Sequence, residues 1–258
     1  MQAWYMSGAG NDFMVIDARG LTLDFEAMAK ELCALADCDG FMAVDHSDKA
    51  DFKLHFYNSD GTRGEMCGNG SRCVSRFAYD HGIAPEVMTI ETDAGLLESV
   101  RLSENQYRVR LNNPGVLDLH RKGDIAYIEL GNPGVPHAVV EVPDLEHSQR
   151  DTLREWARGL RFDPAFPNGA NVNLYRWLGN GRVRILTFER GVEDFTLACG
   201  TGSGSLAVVL WLKGLIPDGK VDVENPGGKL HLEISGTHGE VESILMSGPA
   251  DVLKEYEL

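Results

Sequence analysis

The sequence contains an internal duplication centred on two cysteines. The stretch "CGNGSRCVSRFAYDHGI" begins at Cys67, and "CGTGSGSLAVVLWLKGL" begins at Cys199. Each motif opens a stretch of helical character that ends at a glycine, and Gly95 and Gly227 follow their cysteines at equal spacing. Chance similarity of two glycine-rich turns would not explain this matched downstream spacing. The pattern therefore predicts two structural repeats that each present one cysteine turn.

The helix of the second copy indicates what surrounds it. From Leu206 to Leu212 the residues are apolar on nearly every face, and a helix of this kind must be enclosed by protein. Short strand-like runs that end in turn residues flank both motifs. We predict an α+β fold of two pseudo-symmetric halves, residues 1–118 and 119–258, each a barrel-like sheet wrapped around a central helix. The active site would lie in the cleft between them, and the C-terminal tail could return to the first half.

Composition narrows the protein class. The chain has 258 residues and a formal net charge of −15, which opposes binding to nucleic acid or to anionic membranes. No apolar run approaches the roughly 20 residues of a membrane helix. Five cysteines with no secretory signal indicate reduced thiols. We expect a cytoplasmic protein whose partner is a small molecule, with no nucleic acid and no membrane, and we leave a homodimer open.

A Cys-Gly-x-Gly turn at the start of a helix has defined chemistry. The first backbone N–H groups of a helix lack internal partners, and the helix dipole places partial positive charge there. Such a turn binds an anion and stabilises a thiolate. Two turns that hold one carboxylate would place Cys67 and Cys199 on opposite sides of its α-carbon. One thiolate could then remove the α-proton while the other thiol protonates the opposite face, which is racemase or epimerase chemistry.

The same residues argue against a bound cofactor or metal. We find no environment for a pyridoxal phosphate lysine, and the glycine turns lack the strand context of a dinucleotide motif. The cysteines do not form paired knuckles of the zinc type. We therefore expect no cofactor and no metal, and we interpret Cys33, Cys38 and Cys73 as packing residues.

Several motifs follow one another along nearly the whole chain: "GAGNDF", "YNSDGTRGEMCGNGSRC", "ETDAG", "GVPH", "FPNGANVN", "FERGVEDFTLACGTG" and "PGG". In sequence and order they resemble the motifs of the diaminopimelate epimerases. The resemblance implies two α/β halves, each a β-barrel around a helix, and a cofactor-independent mechanism with two cysteines. An isomerase of lysine biosynthesis that converts LL- to meso-diaminopimelate is the function that it implies.

The resemblance also assigns roles to residues. Cys67 and Cys199 match the acid/base pair, and Glu189 matches an acid that contacts a substrate ammonium. The backbone amides that bind the reacting carboxylate match Gly68, Asn69, Gly200 and Thr201. The positions that hold the remaining polar groups of the substrate, including a distal carboxylate, match Asn11, Asn58, Asn132, Asn171 and Arg190. Phe195 and Arg63 depart from the family pattern, in which an acidic residue is usual at the first and common at the second.

Two other functions remain open from the sequence. The first is a racemase of another amino acid, such as histidine or a basic amino acid, on the same fold. Retention of Arg190 and of the asparagines instead favours a substrate with a distal carboxylate. The second is a thiol redox or metal-binding protein that uses Cys67 and Cys73.

Overall fold

The structure is a computed structural model in which the chain forms two compact units. It describes residues 1–64, 67–146, 149–237 and 239–258. The first unit comprises Met1–Arg110 together with Ser247–Leu258, and the second comprises Leu111–Met246. The boundary predicted after residue 118 falls inside a strand, Pro114–Lys122, that pairs with Ile125–Gly131 of the second unit. The change of unit therefore comes before this strand.

Four helices and seventeen strands are described in these ranges. In chain order they are β1 (Gln2–Ser7), β2 (Asp12–Asp17), α1 (Phe25–Ala36), β3 (Gly40–Asp45), β4 (Phe52–Asn58), β5 (Arg63–Gly64), α2 (Gly68–Asp80), β6 (Val87–Thr92), β7 (Gly95–Arg101), β8 (Gln106–Leu111), β9 (Pro114–Lys122), β10 (Ile125–Gly131), β11 (Gly134–Glu141), α3 (Arg150–Arg161), β12 (Asn171–Gly179), β13 (Arg182–Phe188), α4 (Gly200–Leu212), β14 (Lys220–Asn225), β15 (Gly228–Thr237), β16 (Glu240–Pro249) and β17 (Asp251–Glu257).

Strand pairing follows the same scheme in both units. In the first unit β1 and β2 are antiparallel, β2 and β3 parallel, β3 and β4 antiparallel, β4 and β6 parallel, and β6 and β7 antiparallel. In the second unit β10 to β15 repeat this alternation strand for strand. The C-terminal strand β17 pairs with β1 as β9 pairs with β10. The sequence duplication is thus a duplication of a mixed sheet.

In each unit the strands pack against a central helix that begins at a cysteine. Residues from Gly68 to Ser75 of α2 are all buried, as are Phe77 and Ala78. In α4 the stretch from Gly202 to Leu210 is buried. A helix that is apolar all round is stable only when protein covers it. The burial of α4 is what its sequence predicts.

The other two helices lie at the surface and bury one face each. In α1 the Asp24 side chain caps the N-terminus by accepting a hydrogen bond from the Ala27 N–H at 3.1 Å. In α3 the buried residues are Leu153, Ala157 and Leu160, which follow helical spacing. The apolar spacing of the stretch from Ser148 to Leu160 predicts an amphipathic surface helix. This helix corresponds to α3, and Ser148 itself lies outside the described residues. No helix in the described ranges is long and apolar enough to cross a membrane.

Candidate active site

In the first unit, Cys67 is the N-cap residue of α2. Its backbone is extended, with φ −130° and ψ 116°. The Gly70 N–H donates to Cys67 Sγ at 3.5 Å, and the Ser71 N–H donates to the Cys67 carbonyl at 2.7 Å. The thiol therefore takes the place that a serine or aspartate oxygen has in an ordinary N-cap. A sulfur held against the positive end of a helix is suited to carry negative charge.

In the second unit, Cys199 repeats this geometry at the start of α4. Its backbone has φ −121° and ψ 112°. The Gly202 N–H donates to Cys199 Sγ at 3.4 Å, and the Ser203 N–H donates to the Cys199 carbonyl at 2.9 Å. The side chain of Cys199 is buried, whereas that of Cys67 is partly exposed. The two cysteine turns predicted from sequence are thus two thiol N-caps of matching conformation.

Two asparagines lie beside the sulfur of Cys67. Asn11 Nδ2 donates to Asp39 Oδ2 at 2.6 Å, which directs Asn11 Oδ1 away from that carboxylate. Asn11 Oδ1 accepts from Cys67 Sγ at 3.5 Å and from Asn69 Nδ2 at 3.4 Å. The structure therefore joins the predicted site residues Asn11 and Asn69 to Cys67.

A buried arginine supports this group from within α2. Arg72 is fully buried, and its Nε donates to the Pro249 carbonyl at 3.1 Å. Its Nη1 donates to Asn69 Oδ1 at 3.2 Å. Burial lowers the pKa of the guanidinium to about 10, so it remains charged at neutral pH. Sequence reasoning missed Arg72 as a functional residue. The signal available in the sequence was a difference between the two copies, because the position equivalent to Arg72 in the second copy is Gly204.

A different set of side chains lies beside Cys199. Thr201 Oγ1 is 3.6 Å from Cys199 Sγ, and His137 Nε2 is 3.0 Å from Thr201 Oγ1. His137 is fully buried, and burial lowers its pKa to about 3, so the ring is neutral near pH 7. Asn173 Nδ2 lies 3.1 Å from His137 Nδ1. Thr201 was predicted as a site residue, whereas Asn173 was not.

The loop after β13 carries the predicted charged residues. Asn171 Oδ1 accepts from the Arg190 backbone N–H at 2.7 Å and holds the loop to β12. Arg190 Nη1 donates to the Asn168 carbonyl at 3.1 Å. Glu189 Oε1 accepts from Thr196 Oγ1 at 2.6 Å. The structure thus brings Glu189 and Arg190 of this loop next to Asn171 of β12, with the Arg190 side chain at the surface.

The remaining predicted residues lie at turns and helix starts. Asn58 ends β4 with an exposed side chain, and its Nδ2 donates to Thr62 Oγ1 at 2.9 Å. Asn132 is exposed in the turn that joins β10 to β11. Gly68 and Gly200 are the first residues of α2 and α4, where backbone N–H groups have no intrahelical partner.

The other thiols have structural surroundings. Cys73 is fully buried, and burial raises its pKa to about 12, which makes it a poor nucleophile or metal ligand. Cys33 and Cys38 belong to the apolar core around α1. No three histidine, cysteine or acidic side chains of the described residues are arranged to hold a metal ion.

The two departures from the family pattern also have partners. Phe195 packs edge-on against Phe188 with ring centroids 5.8 Å apart, so an apolar residue at this position extends the core of the second unit. Arg63 Nη2 donates to Asp93 Oδ1 at 2.8 Å.

Solved structures establish the class of fold. A phenazine biosynthesis protein of the PhzF family from Bacillus anthracis superposes with a TM-score of 0.74 at 17% identity, covering 100% of this chain and 98% of that one. A hydroxyproline epimerase from Agrobacterium vitis gives a TM-score of 0.67 at 18% identity, covering 100% and 90%. The predicted α+β fold of two repeated halves is confirmed.

Sequence comparison then defines the family within this fold. The chain matches the diaminopimelate epimerase family over residues 3–115 and 130–253. The diaminopimelate epimerase of Aquifex aeolicus is 37% identical over 250 residues, covering 89% of this chain and 88% of that protein. That of Hydrogenobaculum sp. is 36% identical over 264 residues, covering 94% and 92%. The chain belongs to the diaminopimelate epimerase family, and the predicted assignment to the isomerases is confirmed.

Proposed function

We propose that the protein converts LL-diaminopimelate to meso-diaminopimelate and that Cys67 and Cys199 are its two acid/base groups. The observation that carries this proposal is the pair of thiol N-caps. Each sulfur accepts a backbone N–H of its own helix, at 3.5 Å and 3.4 Å. Membership of the family and the names of its relatives support diaminopimelate as the substrate.

The proposed mechanism needs two thiols in opposite protonation states. A thiolate removes the α-proton, and the second thiol delivers its proton to the opposite face of the same carbon. The roles of Cys67 and Cys199 reverse in the return reaction. The backbone N–H groups of Gly68, Asn69, Gly200 and Thr201, in the first turns of α2 and α4, would bind the reacting carboxylate and stabilise the charge that develops when the α-carbon loses its proton.

The loop after β13 would recognise the distal end of the substrate. A guanidinium matches a carboxylate in geometry and charge, which assigns the second carboxylate of diaminopimelate to Arg190. Glu189 would contact a substrate ammonium. Asn171 holds this loop through the Arg190 N–H. Asn11, Asn58 and Asn132 would complete the polar contacts. These assignments distinguish diaminopimelate from a monocarboxylic amino acid.

The proposed setting is the cytoplasm, within lysine biosynthesis. Free thiols are required by the mechanism and persist in a reducing compartment. The net charge of −15 disfavours nucleic acid as a partner. The small charged amino acid is the partner that the proposal requires.

The test is isomerisation of a panel of amino acids in deuterated water, followed by chiral and mass analysis. We expect inversion and deuterium incorporation with LL-diaminopimelate. Cys67→Ala and Cys199→Ala should each abolish inversion, whereas Cys73→Ala, at a buried thiol of the same helix as the Cys67 turn, should retain it. Inversion of histidine or lysine but not diaminopimelate would instead establish the racemase alternative. Undiminished inversion by either catalytic variant would refute the two-thiol mechanism.

A further inference from the structure

The C-terminal end of α3 contacts the loop that carries Arg190. Arg161 is the last residue of α3, and its side chain is 13% exposed. Its Nε donates to Glu193 Oε1 at 3.2 Å, and its Nη2 lies 3.1 Å from the same oxygen. Because the guanidinium is planar and rigid, two of its donors on one oxygen fix the position of that carboxylate.

The Glu193 carboxylate also ties the loop to itself. The Gly191 N–H donates to Glu193 Oε1 at 3.1 Å. The Glu193 N–H donates to the Glu189 carbonyl at 2.8 Å, and Arg190 lies within the turn that this bond closes. The conformation of the loop around Arg190 therefore depends on where the Glu193 side chain is held.

The backbone of Glu193 indicates that its side chain is needed at this place. Its φ is +58°, in the left-handed region that is unfavourable for a residue with a Cβ atom. Glycine would adopt this conformation without the steric cost. The contacts of the carboxylate with Arg161 and with the Gly191 N–H offset that cost. Strain at a non-glycine loop residue is characteristic of functional sites.

Arg161 also packs against the segment that precedes β12. Gly169 in this segment is buried with φ +64°, and a Cβ atom there would lie 1.9 Å from Arg161 Nη1. The neighbouring Asn168 carbonyl accepts from Arg190 Nη1 at 3.1 Å. Arg161 therefore contacts both the loop that carries Arg190 and the segment that holds the Arg190 side chain.

A second arginine of α3 contacts the same loop. Arg154 is two helical turns before Arg161, so the two side chains lie on one face of the helix. Arg154 Nε donates to Asp194 Oδ1 at 2.8 Å. The side chains of this pair are 37% and 48% exposed, and ion pairs open to solvent contribute little. The more buried contact of Arg161 with Glu193 is therefore the one that we expect to restrain the loop.

We propose that Arg161 and Glu193 are positioning residues that hold the Arg190 loop in the conformation that binds the distal carboxylate of the substrate. The proposal rests on the proposed function in assigning that carboxylate to Arg190. A guanidinium that is already in place binds without first losing conformational freedom, so restraint of the loop raises affinity. The distal carboxylate is at the other end of diaminopimelate from the reacting α-carbon, so the restraint acts on binding more than on proton transfer.

Variants at both residues remove the contact in different ways. Arg161→Met removes both donors and keeps much of the side-chain volume. Glu193→Gly removes the carboxylate and suits the left-handed backbone, so it separates restraint of the loop from overall stability. Glu193→Gln keeps an oxygen that can accept from the Gly191 N–H. Arg158→Met, at an exposed arginine of α3, is the control.

The first measurement needs no substrate. Amide hydrogen exchange of the free protein at pH 7 is followed by mass spectrometry of peptides that cover residues 186–196. Arg161→Met and Glu193→Gly should each lower the protection of this loop about tenfold, while peptides that cover β12 should not change. Glu193→Gln should lie between Glu193→Gly and the wild type, and Arg158→Met should match the wild type. Unchanged protection in both Arg161→Met and Glu193→Gly would overturn the proposal.

The second measurement is steady-state kinetics with diaminopimelate. Arg161→Met and Glu193→Gly should each raise KM about tenfold, while kcat stays within about threefold of the wild type. In an Arg190→Met background, Arg161→Met should change kcat/KM by less than about threefold, because the guanidinium that it positions is absent. An unchanged KM, or a fall in kcat alone, would overturn the proposal and leave the proposed function intact.

If Arg161→Met does not fold, Glu193→Gly takes its place in both measurements, because it removes the same contact from the exposed loop. Faster loop exchange in a protein that does not isomerise diaminopimelate would uphold the restraint of the loop by Arg161 and Glu193 and remove the proposed function.

Discussion

Arg72 donates a hydrogen bond from Nη1 to Asn69 Oδ1 at 3.2 Å while its guanidinium is fully buried. Its Nε bonds the Pro249 carbonyl at 3.1 Å, so one side chain joins the N-terminal turn of α2 to the returning C-terminal segment. Because the Asn69 oxygen faces Arg72, the Asn69 Nδ2 faces Asn11 beside Cys67. The buried Arg72 side chain thereby fixes the orientation of the Asn69 amide near Cys67, a proposed acid/base group.

Replacing the guanidinium of Arg72 should therefore destabilise the first unit. Arg72→Lys keeps the positive charge but cannot donate to Asn69 Oδ1 and Pro249 O in the same planar geometry. We expect the free energy of unfolding, measured in urea, to fall by about 2 kcal/mol because a buried acceptor loses its donor. Arg63→Lys is the matched control at an exposed ion pair with Asp93 and should cost less than about 1 kcal/mol. Equal losses in the two variants would contradict the role given to Arg72.

His137 should make stability depend on acid. Its pKa is about 3 in the folded protein because of burial, whereas a histidine in an unfolded chain titrates near 6.5. As pH falls below about 6.5 the unfolded state gains a proton that the folded state does not accept. The contribution of neutral His137 to stability is therefore present above that pH and is lost progressively toward pH 3.

The measurement is urea unfolding of wild type and His137→Gln at pH 7 and pH 5. The free energy of unfolding of the wild type should decrease from pH 7 to pH 5, and His137 should account for about 2 kcal/mol of this decrease. The His137→Gln variant should lack that part of the decrease. His120→Gln, at an exposed histidine, is the control and should follow the wild-type curve. A decrease of the same size in His137→Gln and wild type would show that His137 is not the group responsible.

Much of the fold was predictable because the duplication is visible in the sequence. The glycine-rich cysteine turns and the continuous apolar run of α4 depend on local sequence, and both appear in the structure as predicted. The domain boundary was less predictable because β9 belongs to the second unit through its pairing with β10. Strand pairing between distant segments is not encoded in a short window of sequence.

The burial of the polar side chains of Asn173 and Thr187 and of the arginine Arg72 could not be predicted for the same reason. Asn173 and Thr187 stand in strand-like runs, where a polar residue is usually interpreted as facing solvent. Their burial becomes apparent only when the β12–β13 register places them opposite each other beneath α4. Arg72 was visible as a difference between the two copies, but sequence alone gave no sign that it is buried.

The glycines of the two turns should differ in their tolerance of a methyl group. A Cβ on Gly202 would lie 2.4 Å from Asn173 Oδ1, an atom held by Thr187, while a Cβ on Gly70 would meet the terminal methyl of Met42. A methionine end can adopt another rotamer, whereas displacement of Asn173 breaks buried hydrogen bonds. We expect Gly202→Ala to lower the free energy of unfolding by about 1–3 kcal/mol more than Gly70→Ala. Equal losses of unfolding free energy in urea would show that the hydrogen-bonded Asn173 side chain is no more rigid than the end of Met42.

Replacement of Arg190 tests whether the substrate has a second carboxylate. The proposed function gives the reacting carboxylate to the helix N-termini. It leaves the guanidinium of Arg190, on a loop that Asn171 holds in place, for the distal carboxylate. Removing one partner of a charged pair in a closed site costs roughly 2–5 kcal/mol.

We expect Arg190→Met to lower kcat/KM for diaminopimelate at least about 30-fold. Deuterium exchange into a monocarboxylic amino acid, where measurable, should change by less than about threefold, since the proposal places its single carboxylate at the helix N-termini. Arg158→Met, at an exposed arginine of α3, is the control and should retain wild-type kinetics. If Arg190→Met also turned over diaminopimelate normally, the distal carboxylate would have to bind elsewhere, while the roles proposed for Cys67 and Cys199 would be unaffected.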